Sequence, residues 1–281
     1  MFPGVYGFTW DHGNLIFLGV FYTVVLVIFG TVTLAAVRSM KDFKARKDDR
    51  IRWKLDFEDL PERDRACRHE FTGEFRHRIC ERGFDCRECP EHAKLVAAQQ
   101  GKIALADDRD DEEGRILGFD MPLDRLYHRG HTWVKAQSDG AVTVGFDDFG
   151  SRLIGRPDQV ELPAAGDSLH VNGTAWHIKK NGSDLRILSP VEGQVVETGS
   201  AKAGWYLKLK PLGKKVDTQH LLRGAEVRPW LAREMERLEF SLAADGVGLS
   251  LADGGAMIED ISKEYPSVNW DSVWGEMFLE P

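Results

Sequence analysis

One uncharged, apolar run near the N-terminus constrains the folding of this chain more than any other feature. Residues 15–37 form 23 consecutive positions without a charged side chain, and a helix of that length crosses a hydrocarbon core of about 30 Å. A cleaved signal peptide fits poorly, because no Lys or Arg precedes the run and the charges follow it instead. The sequence therefore predicts one transmembrane helix at 15–37.

The charges that follow the run predict its orientation. Five basic residues come directly after it: Arg38, Lys41, Lys44, Arg46 and Lys47. Basic residues stay on the cytoplasmic side of a membrane, so residues 1–14 are expected outside and the rest of the chain inside. We expect a single-pass protein of a bacterial inner membrane, with the lipid bilayer as one partner.

Four cysteines lie within one short segment, and the chain has no others: Cys67, Cys80, Cys86 and Cys89. In a reducing cytoplasm such a set favours a shared metal over disulfides. A tetrahedral zinc site would let residues 66–98 fold on metal binding. An iron–sulfur cluster on the same four ligands is the alternative, and free or disulfide-linked thiols are the third. Three neighbouring histidines are expected to be solvated bystanders: His69, His77 and His92.

The region after the cysteines has the pattern of a small all-β domain. Short apolar runs are separated by Gly, Pro and Asn-Gly turn residues at intervals of about ten residues. The runs are 142–146, 160–162, 176–178, 185–188, 194–197 and 206–210. Asn181-Gly182 is the strongest turn signal, because both residues tolerate the positive φ of a two-residue hairpin. A hairpin tip is predicted there.

Several motifs in this region occur in an order typical of one family. They are Tyr127-His128-Arg129-Gly130-His131-Thr132-Trp133-Val134, Val160-Glu161-Leu162-Pro163-x-x-Gly166, Ser189-Pro190-Val191-x-Gly193 and Gly204-Trp205-Tyr206-Leu207. Together residues 119–237 resemble the glycine cleavage system H proteins, which carry a lipoyl group. The resemblance implies a mainly β fold, a lipoyl/H-protein-like β sandwich (barrel-sandwich hybrid) with C-terminal helices.

The lipoyl lysine that the family carries at the hairpin tip is not found at the matching position. Counted forward from Gly166 and backward from Ser189, the family spacing places the carrier at Gly182. An alignment with insertions and deletions on both sides brings Lys180 there instead. The resemblance therefore implies that lipoate is absent, with lipoylation of Lys180 as the alternative.

The remaining segments complete the predicted organisation. Residues 38–65 are a charged juxtamembrane helix or linker, 99–118 an acidic linker, and 238–281 a tail. A helix is predicted over 221–242. An apolar stripe in the tail, either packed on its own domain or docked into a partner, is formed by Trp270, Val273, Trp274, Met277 and Phe278.

Composition and motifs then limit the function. The net charge is −8, and the basic cluster lies beside the apolar run, so the rest of the chain is acidic. An acidic protein is not expected to bind nucleic acid. Since the sequence has no nucleophile elbow, P-loop or dinucleotide motif, we expect neither an enzyme nor a small-molecule substrate. Two hypotheses remain: an accessory or docking subunit of a membrane complex, possibly a respiratory or redox one, and a membrane-tethered lipoyl carrier modified at Lys180.

Overall fold

The computed structural model describes residues 11–44, 57–99, 114–213, 216–244 and 260–279. The chain divides into two compact units, Met1–Asp49 and Arg50–Pro281. Most of the predicted acidic linker and the segment 45–56 lie outside the described residues.

The described part of the N-terminal unit is the helix α1, at His12–Lys44. Its span His12–Val37 has a mean hydropathy of 2.6, and only 6% of the most apolar window is buried. Three threonine hydroxyls within it donate to main-chain carbonyl oxygens one turn earlier, for example Thr23 to Gly19 at 2.7 Å. Polar groups satisfied inside the helix suit an apolar environment. The helix is long and apolar enough to cross a membrane.

The second unit is built on two antiparallel sheets and a short hairpin. The hairpin pairs β1 (Arg115–Ile116) with β2 (Phe119–Asp120). The larger sheet has the order β3-β4-β5-β11-β10-β7, formed by Leu126–Tyr127, Thr132–Ala136, Val142–Phe146, Trp205–Pro211, Gly193–Ser200 and Ser168–Leu169. The smaller sheet has the order β6-β8-β9, formed by Gln159–Glu161, Thr174–Lys180 and Ser183–Leu188.

The apolar core lies between residues of both sheets. Val144 and Leu207 of the larger sheet and Ile187 of the smaller one are fully buried in one cluster. Trp176 of β8 stacks on Tyr206 of β11, with ring centroids 4.9 Å apart and planes 17° apart. Five of the six predicted apolar runs lie wholly in strands, and the sixth, 160–162, lies in β6 except for Leu162. The predicted lipoyl/H-protein-like β fold with C-terminal helices is confirmed.

Four helices accompany the sheets: α4 (Asp148–Ile154), α5 (Val227–Ala244), α6 (Ile261–Glu264) and α7 (Trp270–Met277). Helix α5 begins later than the predicted residue 221. The reason is that Leu222 is extended and pairs with Tyr127, each backbone N–H donating to the other's carbonyl at 2.7 and 2.9 Å. A 3-10 turn at Gly224–Glu226 then leads into the helix.

The tail stripe packs on its own domain. All five of its side chains are buried in the main core, and the side chain of Asn269 caps the start of α7. Phe278 contacts His131 and Phe146, with ring centroids at 5.8 and 5.4 Å. The stripe is thus part of the core of its own domain.

The cysteine segment packs against the β domain within the same unit. It contains α2 (Arg68–Phe71), a 3-10 turn (Cys86–Glu88) and α3 (Pro90–Gln99). Ion pairs join it to the region around α5: Arg68 to Glu226 at 2.6 Å and Arg233 to Glu70 at 3.2 Å.

A buried network of charged side chains also lies between the β domain and the segment that precedes the cysteines. His131 Nδ1 lies 3.0 Å from Asp147, and its Nε2 lies 3.8 Å from Glu234. Arg237 pairs with Glu234 at 2.5 Å and with Asp64 at 2.9 Å. Burial opposes the charge on His131, but the two carboxylates outweigh it and raise its pKa to about 9. Burial likewise opposes the charge on Glu234, yet Arg237 and His131 lower its pKa to about 2.

This network predicts a pH dependence of stability. The contribution of His131 is complete below its ordinary pKa of 6.5 and is lost as the pH rises through about 9. The contribution of Glu234 is complete above its ordinary pKa of 4.5 and is lost as the pH falls through about 2. Urea unfolding of the detergent-solubilised chain between pH 5 and 10 should show stability falling above about pH 7.

The His131→Asn variant isolates this effect. Asn tolerates the positive φ of 62° at this position but does not titrate. We expect the variant to be less stable at pH 6 and to lose less stability between pH 7 and 10. An alkaline loss of equal size in both proteins would contradict the assignment.

Candidate functional site

The predicted hairpin tip lies at the end of β8 and β9. Lys180 pairs with Ser183 across the turn, and the two central residues have positive φ, 52° at Asn181 and 87° at Gly182. These are the signs required by a tight two-residue turn. The Asn181 N–H donates to Asp158 at 2.8 Å. The tip is confirmed, and Gly182 occupies it with open space around its Cα.

Lys180 points into the protein. Its side chain is only 3% exposed, and its Nζ lies 2.5 Å from Asp260 Oδ1. The same Nζ donates to the carbonyl oxygen of Ile154 at the end of α4. Its neighbour Lys179 is on the surface and pairs with Glu161 at 2.5 Å. Two adjacent lysines of one strand therefore have opposite environments.

The partner of Lys180 is fixed by several contacts. Asp260 has a left-handed φ of 61°, and its N–H donates to Arg152 at 2.8 Å. Ser262 donates to its carboxylate at 2.8 Å, and Lys263 lies 2.7 Å away. Burial opposes ionisation of Asp260, but these donors, Lys180 first, outweigh it and lower its pKa to about 2.

The contact between β8 and Asp260 requires Gly155. A Cβ at that position would lie 2.3 Å from the Cβ of Asp260. Asp260 is separated from Lys180 by 80 residues, so no local pattern in the sequence points to this pair.

The four predicted metal ligands lie together at a second candidate site, separate from the hairpin tip. Cys67, Cys80, Cys86 and Cys89 line one cavity. All four are free thiols, and Cys67 and Cys86 are buried. Burial raises the pKa of Cys86 to about 12.

The four thiols share a cavity but do not form a single-ion site. Within the described residues, no group of three or more His, Cys, Asp or Glu side chains is placed to hold one metal ion. Zinc at these cysteines therefore stays a prediction.

Two of the three neighbouring histidines are not solvated, contrary to expectation. His69 and His92 are each about 5% exposed, line the cavity and are hydrogen-bonded to each other through Nε2 and Nδ1 at 2.9 Å. Burial, followed by the charge of Arg68, lowers the pKa of His92 to about 4. His77 is exposed as expected. The pair is buried because the cysteine segment packs on the β domain, which the sequence did not indicate.

Comparison with known proteins identifies the β domain. The sequence profile of the family described as Glycine cleavage H-protein matches residues 125–204. The glycine cleavage system H protein of Xanthomonas euvesicatoria pv. vesicatoria (strain 85-10) is 38% identical over 82 residues, which cover 29% of this chain and 63% of that protein. Glycine cleavage system H protein 2 of Pseudomonas syringae pv. tomato (strain ATCC BAA-871 / DC3000) is 29% identical over 117 residues, covering 37% and 91%.

A solved structure is also similar. The crystal structure of a glycine cleavage system H protein from Mycobacterium marinum covers 41% of this chain and 99% of its own, with 23% identity and a TM-score of 0.35. The chain spans less than two thirds of the Xanthomonas relative's length, 63%. The profile match and the curated relatives agree with the motif order in the sequence and with the two sheets. Residues 125–204 therefore form a domain of the glycine cleavage H-protein family.

Proposed function

We propose that this protein is a non-catalytic accessory subunit of a membrane complex, in which an H-protein-type domain without a lipoyl arm serves as a docking surface. The observation that carries the proposal is the buried Lys180–Asp260 pair beneath a tip occupied by Gly182. Proteins are the proposed partners of this surface; neither nucleic acid nor a small-molecule substrate is part of the proposal.

The environment of Lys180 opposes its use as a carrier. Lipoylation joins Nζ to a carboxylic acid as an amide, so the amine must be accessible and its positive charge is lost. Here Nζ is enclosed between Asp260 and the Ile154 carbonyl. Removing that charge would leave a buried carboxylate short of its partner, which costs several kcal/mol in comparable pairs. The alternative hypothesis, a lipoyl carrier modified at Lys180, requires this part of the fold to open.

Lipoate ligase with ATP and lipoic acid should leave the full-length protein unmodified. We expect the intact mass of the detergent-solubilised chain to stay unchanged, while a lipoylated H protein serves as the positive control. The Gly182→Lys variant places an amine at the exposed tip and should gain a lipoyl group in a fraction of the molecules, despite the strain at positive φ. A lipoyl group on Lys179 or Lys180 of the unaltered chain would refute the proposal and support the carrier.

The membrane location belongs to the same proposal. The exposed apolar surface of α1 and its mean hydropathy of 2.6 support a single span, and the basic residues after position 37 support a cytoplasmic β domain. Zinc or another metal at the cysteines would be its cofactor.

Washing membranes at alkaline pH should leave the protein in the membrane fraction, and detergent should release it. Protease added to the outer face of intact inner membranes should leave the residues after α1 uncleaved, whereas permeabilised membranes should allow cleavage. Release by the wash would contradict the span, and cleavage from outside would reverse the orientation.

A further inference from the structure

We propose that the cavity lined by the four cysteines holds an iron–sulfur cluster whose negative charge is balanced by Arg68 and Arg129. This inference does not rest on the proposed function, because it concerns a different part of the molecule from the hairpin tip.

The fold brings the four thiols together as two pairs. The isolated bridge between Ala66 and Ile79 aligns two short extended segments. In it Cys67 donates its N–H to Arg78 at 2.8 Å, and Cys80 donates to Arg65 at 2.6 Å. Cys86 and Cys89 lie at the two ends of one 3-10 turn, joined by a backbone hydrogen bond of 3.2 Å. The backbone of all four positions is therefore fixed by hydrogen bonds.

The placement of the thiols favours a larger group over a single ion. Zinc binds cysteine sulfur at about 2.3 Å, which places four tetrahedral sulfurs about 3.8 Å apart with only the ion between them. The four thiols line one cavity, yet among the described residues no three His, Cys, Asp or Glu side chains are placed to hold one metal ion. Four cysteines are also the usual ligands of a cluster of several iron and sulfide ions, and such a cluster occupies more of this space than one zinc ion does.

Arg129 gives the cavity a buried positive charge. Its side chain comes from the β3–β4 connection of the H-protein-type domain and lies over the ring of Phe84, 3.5 Å from the ring centroid. It is 4% exposed. Its guanidinium donates to the main-chain oxygens of Ala66 and Asp64 at 2.6 and 3.5 Å, and its Nε has no hydrogen-bond partner in the described parts of the chain. A buried cation without a directly bonded anion is costly, and a cluster bound by four thiolates supplies negative charge at this place.

Arg68 supplies the second positive charge from the opposite direction. It pairs with Glu226 at 2.6 Å, and it lines the same cavity as Cys86. Its Nε, too, has no hydrogen-bond partner among the described residues. Hydrogen bonds to the ligand sulfurs, nearby charge and exclusion of water are the factors by which proteins stabilise such clusters and set their reduction potential.

The test begins with the unaltered full-length protein, purified in detergent without oxygen. We expect iron and acid-labile sulfide in equal amounts, near four of each per chain for a cubane cluster, with a broad visible absorption that dithionite bleaches. One zinc per chain without sulfide would overturn the proposal in favour of a single-ion site. Absence of any metal would overturn both.

Variants then assign the ligands and the compensating charge. Cys86→Ala and Cys89→Ala should lose most of the iron, whereas His92→Ala, which changes a residue lining the same cavity, should keep it. Arg129→Gln keeps all four thiols but removes one positive charge, so addition of an electron from dithionite should need a more negative potential. Iron retained in both cysteine variants, or lost equally in His92→Ala with the fold intact by circular dichroism, would contradict the assignment.

Discussion

The Arg237→Met variant should lose about 4 kcal/mol of the free energy of unfolding, the range found when one partner of a buried ion pair is removed. The Arg237 side chain is 8% exposed and contacts two carboxylates that are each 1% exposed, those of Asp64 and Glu234. It also donates to the carbonyl oxygen of Glu276 at 2.9 Å. Methionine keeps an apolar stem but has no charge, so Asp64 and Glu234 would lose their shared cation, and Glu234 would keep only His131.

Arg228→Met is the matched control for this prediction. Arg228 lies on the same helix, α5, but is exposed, and surface charges contribute about 0–1 kcal/mol. Urea unfolding of both variants in detergent, followed by tryptophan fluorescence, measures the difference. Equal losses in the two variants would show that the Asp64–Arg237–Glu234 network does not hold the cysteine segment on the β domain.

The strands and the hairpin tip could be predicted because their signals are local. Alternating apolar residues and Asn-Gly turns act over a few positions, and the six predicted runs coincide with strands apart from Leu162. The start of α5 could not be predicted in the same way. Leu222 has good helical sequence but is held extended by pairing with Tyr127, 95 positions earlier in the chain.

The candidate sites, too, could be predicted only where the signal comes from neighbouring positions in the sequence. Spacing alone placed Gly182 at the tip, and cysteine spacing alone grouped four thiols that line one cavity. The burial of Lys180 depends on Asp260, and the charge beside the thiols depends on Arg129, which belongs to the H-protein-type domain. Both contacts join segments that are far apart in the sequence, so their patterns could not indicate them.

These distant contacts connect the two candidate sites to one folded unit. Arg129 lies two residues after the strand β3, and His131, two residues later, joins the charge network that includes Arg237 and Asp64. The thiol cavity is thereby attached to the core of the β domain. A metal centre there would stabilise that core as well as the cysteine segment, since a ligand that binds only the folded state adds its binding free energy to stability.

The Lys180→Met variant should lose about 3 kcal/mol of stability, whereas Lys179→Met should lose less than about 1 kcal/mol. The two substitutions are chemically identical and adjacent on β8, but Lys180 is a buried partner of Asp260 and Lys179 an exposed partner of Glu161. Asp260 keeps Ser262 and Lys263 in the variant, so the expected loss lies at the lower end for buried pairs. Thermal and urea unfolding of both variants, together with Asp260→Asn, measure the effect. If Lys180 were an exposed carrier residue, Lys180→Met would be as mild as Lys179→Met, and the burial on which the docking proposal stands would be wrong.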